Sequence, residues 1–116
     1  FTASSGLWTV ASGDVTNYIY TLDAVSKVIQ IVFDFNTTTV TATPLLLSVV
    51  IAGGFTAASV QDVLGMYESQ DGTTFALGLF SRATGTTLQF FRVNLVNWAT
   101  TVNLTIVRGT IRFTVA

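Results

Sequence analysis

Val102-Asn103-Leu104-Thr105-Ile106-Val107-Arg108-Gly109-Thr110-Ile111-Arg112-Phe113-Thr114-Val115-Ala116 is the stretch whose reading decides the fold class. Ile111, Phe113 and Val115 lie on one side of a period-two repeat and Thr110, Arg112 and Thr114 on the other, as a half-buried strand requires. Upstream, Val102, Leu104 and Ile106 alternate with Asn103 and Thr105 in the same way. Arg108-Gly109 between the two runs reads as a short turn, so a C-terminal hairpin is expected, with the chain ending inside its sheet.

Working outward, Ile29, Ile31, Phe33 and Phe35 share one face of a strand over Lys27 to Phe35, and its other face is itself partly apolar. Such a strand is covered on both sides. Further strands are expected at 7–11, 15–21, 38–43, 45–52, 63–68, 74–80 and 86–93, with a short one at 95–98. Between them stand Ser12-Gly13-Asp14, Gly53-Gly54, Gln70-Asp71-Gly72 and Ala83-Thr84-Gly85, each rich in turn formers. Asp71-Gly72 is the strongest hairpin signal among them. A helix competes only over Thr56 to Met66, where Ser59 and Asp62 have capping-box spacing, and Gly65 and the β-branched neighbours limit it to a turn or two. The Thr-rich patch Thr37 to Thr43 is read as β-forming residues on an exposed face. The whole predicts an all-β fold: one domain over 1–116, an antiparallel β-sandwich of jelly-roll or Greek-key type.

Composition narrows the chemistry. The 116 residues contain no His and no Cys, a single Lys at Lys27, and only 9 % charged residues against 50 % hydrophobic. Soluble domains ordinarily carry about 25 % charge, so part of the apolar exterior is expected to be buried against other copies of the chain. Ser-His-Asp and Cys-His catalysis lack their residues, and no disulfide framework is available. Ser26 and Lys27 are sequence neighbours on a strand and point to opposite faces, which disfavours a Ser-Lys dyad. Most carboxylates, Asp14, Asp23 and Asp71 among them, sit beside turns, and turn formation accounts for them better than glycoside hydrolysis does. No acidic cluster has calcium-loop spacing and no Gly-rich phosphate cradle precedes a helix, so neither metal nor cofactor is expected. The five cations form no stripe of the kind nucleic acid requires. The uncharged run Phe35 to Val60 is broken by Thr, Pro44 and Gly53-Gly54 and reads as a buried strand, so no membrane insertion is expected. Position 1 is Phe, consistent with a fragment or processed product, and no targeting signal follows it. Asn36-Thr37-Thr38 and Asn103-Leu104-Thr105 fit the N-glycosylation pattern. Trp8, Trp98, Tyr18, Tyr20 and Tyr67 are either core or interface aromatics or a platform for stacking carbohydrate.

Near the N-terminus, Ser5-Gly6-Leu7-Trp8-Thr9 resembles the Thr-Leu-Trp-Thr signature that opens the head domain of adenovirus fibres. Leu7, Trp8 and Thr9 match, and Gly6 stands where the family usually has Thr. The size is similar to the compact heads of reptile-type fibres. The resemblance implies a homotrimeric β-sandwich at the virion surface, assembled in the host nucleus, that binds a protein or glycan receptor on the host cell. It also implies that residues 1–6 are the end of a shaft or linker and that Trp8 is structural at the base. Asp71, Arg82 and Trp98, near expected turns, are the candidate receptor contacts. A monomeric carbohydrate-binding module, or another trimeric jelly-roll tip such as that of a phage fibre or a collagen-tailed protein, shares the same physical profile.

Overall fold

A computed structural model describes the backbone of residues 8–39, 46–92 and 95–116, and the side chains of these except at 8, 9, 39, 63–71, 74–80 and 103. Eight strands carry the fold: β1 (Trp8–Thr9), β2 (Val15–Asp23), β3 (Val28–Thr39), β4 (Leu46–Val50), β5 (Gln61–Asp71), β6 (Thr74–Thr84), β7 (Thr87–Arg92) and β8 (Thr101–Thr114). All pairings are antiparallel, in the order β1-β3-β8-β5-β6-β7-β4, with β2 also on β3. β5, β6 and β7 form a meander, and β8 returns to lie beside β5, which is the Greek-key arrangement.

The turns form where the residue types require them. Gly72 opens a two-residue turn between the paired Asp71 and Thr74, and Gly85 does the same between Thr84 and Thr87; both have positive φ, 63° and 54°. At the β2–β3 turn the Asp23 carboxylate accepts hydrogen bonds from the Ser26 and Val25 amides, which hold its pKa below the usual carboxylate value. Lys27 closes that turn with φ 59°.

One continuous ladder folds over into two layers. β2, β3 and β8 make the first and β5, β6, β7 and β4 the second, joined where Thr105–Arg108 of β8 pair with Glu68–Asp71 of β5. A bulge between Gly65 and Glu68 marks the point at which β5 turns out of the first layer. Ile29, Ile31, Phe33, Phe35, Val107, Ile111 and Phe113 face Leu47, Val49, Ala83, Leu88 and Phe90 across the interior. The Phe90 ring lies 5.0 Å from Phe33 and 6.2 Å from Phe35 and ties the layers together.

Four sequence expectations are corrected. The C-terminal hairpin does not form: Arg108 and Gly109 pair with Asp34 and Phe33, and β8 runs straight through because β3 is long enough to template it. Its facing changes as a result. Ile111, Phe113 and Val115 point inward, so Thr101, Thr105 and Val107 do too, and Val102 and Leu104 face solvent. Thr37, expected on an exposed face, is buried, and its hydroxyl donates to the Thr105 carbonyl. No helix forms over Thr56 to Met66, because Ala58, Thr56 and the Gln61 amide all bond to the C-terminal strand around Thr114. Residues 95–100 contain no strand; instead Trp98 closes the core, its Nε1–H donating to the Phe90 carbonyl. The strand expected over 38–43 contributes Thr38 and Thr39 to the end of β3, and its remainder lies outside the described residues.

Because Phe90 contacts both inward phenylalanines of β3, Phe90→Ala is expected to lower unfolding stability by about 3–5 kcal/mol. Chemical denaturation checks it; a loss under about 1 kcal/mol would show that the layers are not joined through this ring.

Candidate functional site

The ladder closes one flank of the sandwich through β8 and β5 and leaves the other flank open, where the edge strands β2 and β4 face each other across the two layers. Tyr18 bridges the gap. It sits on the inward face of β2, opposite Phe33, with its ring 5.2 Å from Phe35. Its hydroxyl donates to the Val50 carbonyl at the end of β4, at 2.6 Å, and itself accepts from the Ala52 amide. Burial raises the phenol's pKa well above its ordinary value, and the Ala52 amide offsets this only in part.

On either side of Tyr18 lies a cavity. One, of about 230 Å³, is walled by Tyr18, Tyr20, Val50 and Ile51 and floored by Ala52-Gly53-Gly54. The other, of about 480 Å³, is lined by Val10, Ala11, Ser12, Val15 and Tyr18. No lining residue of either carries a formal charge. The glycine pair shapes the first cavity. Gly53 and Gly54 have φ 74° and 73°, and a Cβ on Gly53 would lie 2.7 Å from the Phe55 ring and 2.8 Å from the Tyr20 ring. Phe55 meets Tyr20 edge-on at 5.3 Å, and Tyr20 stays 45 % exposed.

A second feature is the outer face of the first part of β8. Val102 is 74 % and Leu104 43 % exposed, while Thr101 and Thr105 are buried with their hydroxyls bonded to each other. Over Thr101, Val102, Leu104 and Thr105 the strand is thus apolar outside and polar inside, the reverse of a half-buried strand, while Ile106 and Val107 beyond them are both buried.

The three residues expected to contact a receptor are dispersed. Asp71 ends β5 at the β5–β6 turn, and its side chain is outside the described set. Arg82 lies in mid-strand on the outer face of the second layer. There it forms a bidentate pair with Asp62, at 2.6 and 3.1 Å, and its guanidinium stands 5.6 Å from the Phe91 ring centre. That pair holds the Asp62 pKa below its usual value. Trp98 is fully buried, so the expected receptor contact is a core residue with no surface to offer. Tyr18 and Tyr20, which the sequence offered as stacking aromatics, do meet at the open flank, with Gly53-Gly54 between β4 and Phe55. The outward facing of Val102 and Leu104 was hidden, because it depends on β8 being unbroken at Gly109.

Among the described residues no group of three or more acidic side chains is placed to hold a metal ion, and no helix is long and apolar enough to cross a membrane. Scans against protein-family models, curated proteins and solved structures return no match to this chain.

The Tyr18 phenol generates a pH dependence. Its folded pKa is raised, so its contribution is complete below the unfolded value near 10 and falls as pH rises further, because only the unfolded chain then ionises. Stability is expected to decline above that point by up to about 1.4 kcal/mol per pH unit from this group. Tyr18→Phe removes that part of the slope and costs about 1 kcal/mol near neutrality. Urea titrations of both proteins at pH 8 and at higher pH check this; parallel alkaline profiles would contradict it.

Proposed function

We propose that this chain is a non-catalytic, self-associating attachment domain: a homotrimer of the kind that forms the head of a viral fibre and binds a protein or glycan receptor on the host cell. The observation that carries the reading is the reversed facing of β8, which turns Val102 and Leu104 to solvent and buries Thr101 and Thr105. Burying a Val or Leu side chain is worth about 1.5–3 kcal/mol, and a monomer forgoes that for both. Packed against other copies, the same register is favourable. The low charge of the chain supports the reading, as does the absence of His and Cys. The Leu7-Trp8-Thr9 resemblance supports the fibre-head form of it, with the virion surface as its place and assembly in the host nucleus. In a trimer three weak receptor contacts act together and raise avidity without any single strong site. Neither cofactor nor nucleic acid has a part in it.

The second reading is a monomeric carbohydrate-binding module, favoured by the exposed Tyr20 at the open flank. Solution mass separates the two. Light scattering is expected to give three times the 12.4 kDa of the chain, and Val102→Glu with Leu104→Glu is expected to give the single-chain mass with β-sheet circular dichroism retained. Val25→Glu, at the fully exposed tip of the β2–β3 turn, is expected to leave the mass unchanged. A wild-type protein that is monomeric at micromolar concentration would overturn the trimer.

A further inference from the structure

We infer that the smaller cavity of the open flank binds one neutral pyranose ring, stacked on Tyr20 and seated over Gly53-Gly54. This takes the attachment reading as its premise, because it assigns a glycan as the receptor and names the place where the glycan is held.

Four observations carry the assignment. Tyr20 is the exposed aromatic of the cavity wall, and its orientation is fixed: Phe55 meets it edge-on at 5.3 Å, and the bare backbone of Gly53 abuts the ring so closely that a Cβ there would lie 2.8 Å from two ring carbons. A ring held in this way offers an apolar surface with no loss of rotamer freedom on binding, as stacking against the C–H face of a sugar requires. The Tyr20 hydroxyl has no hydrogen-bond partner among the described residues and is free to meet a sugar hydroxyl. The volume, about 230 Å³, is below the range of drug-sized pockets and suits a single ring.

The fourth observation is electrical. Tyr18, Tyr20, Val50, Ile51, Ala52, Gly53 and Gly54 carry no formal charge, so nothing in the lining compensates a carboxylate or an ammonium on the ligand. An acidic sugar would find no counter-ion there. A neutral hexose or N-acetylhexosamine brings only hydroxyl or amide groups, most of which stay in water at so open a site. Tyr18 is not part of the stacking surface. Its hydroxyl is occupied by Val50, and it acts as a positioning residue that keeps the cavity floor in place beneath Tyr20.

The test is a titration of the 116-residue chain, ¹⁵N-labelled, with the methyl glycosides of galactose, glucose, mannose and N-acetylglucosamine, with N-acetylneuraminic acid and decanoate as anionic and acyl-chain comparisons. At least one neutral glycoside is expected to shift the Tyr20, Gly53 and Gly54 amides with a millimolar Kd. Tyr20→Ala is expected to weaken that binding about tenfold, and Tyr20→Phe by no more than about threefold, since the ring remains. The amide spectrum of each variant reports whether it has folded. The inference is overturned if none of the four neutral glycosides shifts these amides. Equally, it fails if Tyr20→Ala leaves the affinity unchanged, or if N-acetylneuraminic acid or decanoate binds there more tightly than every neutral sugar. The mass of the same sample is read separately: a monomer that binds the sugar refutes the trimer and leaves the site, whereas a trimer that binds none refutes the site alone.

Discussion

Everything in this molecule depends on the pairing of β3 with β8. It is the longest ladder, Val28 to Thr39 against Thr101 to Thr114, and it puts Ile29, Ile31, Phe33 and Phe35 on the same inward face as Val107, Ile111 and Phe113. That face is the floor on which the second layer rests, through Phe90 above all. Its register is fixed by the apolar residues of both strands, since a slip of one position would turn the four buried side chains of β3, or the three of β8, to water. Other parts of the strand accept whatever facing the ladder dictates. The buried threonines at positions 37, 101 and 105 bond with one another and with backbone because they have been carried inward with it.

The fold class was legible in the sequence because period-two alternation and turn residues are local signals. The strands at 15–23, 28–35, 74–84 and 87–92 fall close to where their patterns put them, and Asp71-Gly72 makes its hairpin. What was not legible follows from the same locality. Arg108-Gly109 has the composition of a turn, yet a glycine is also tolerated in an extended strand, and only the presence of Phe33 and Asp34 opposite decides between them. Trp98 illustrates the converse. It ends a short expected strand beside an expected turn and so reads as a surface residue, but no strand forms over 95–100 and the indole plugs the core instead. The open flank was half visible: Tyr18 and Tyr20 stood out as aromatics and Gly53-Gly54 as a turn, but their meeting is a property of two layers that sequence alone does not superpose.

Charge plays a small and local part. The Asp62–Arg82 pair is solvent-exposed, and pairs of that kind contribute little. Asp34 and Arg108 face each other across β3 and β8 at 3.4 Å, beside the unbroken Gly109. Asp14 and Asp23 are consumed by their own turns, where their carboxylates accept backbone amides. With so few ions, the fold rests on shape and apolar contact.

The β3–β8 ladder also sets the order of events when the chain is made. Thr37 and Thr105 are bonded partners 68 positions apart, and the outermost pair, Val28 with Thr114, is farther apart still. A nascent chain emerging from the ribosome carries β3, with its row of isoleucines and phenylalanines, long before the strand that covers it exists. The loop-closure entropy for that pairing falls due only once β8 has been made. The partly made polypeptide therefore presents its most adhesive segment until β8 has emerged.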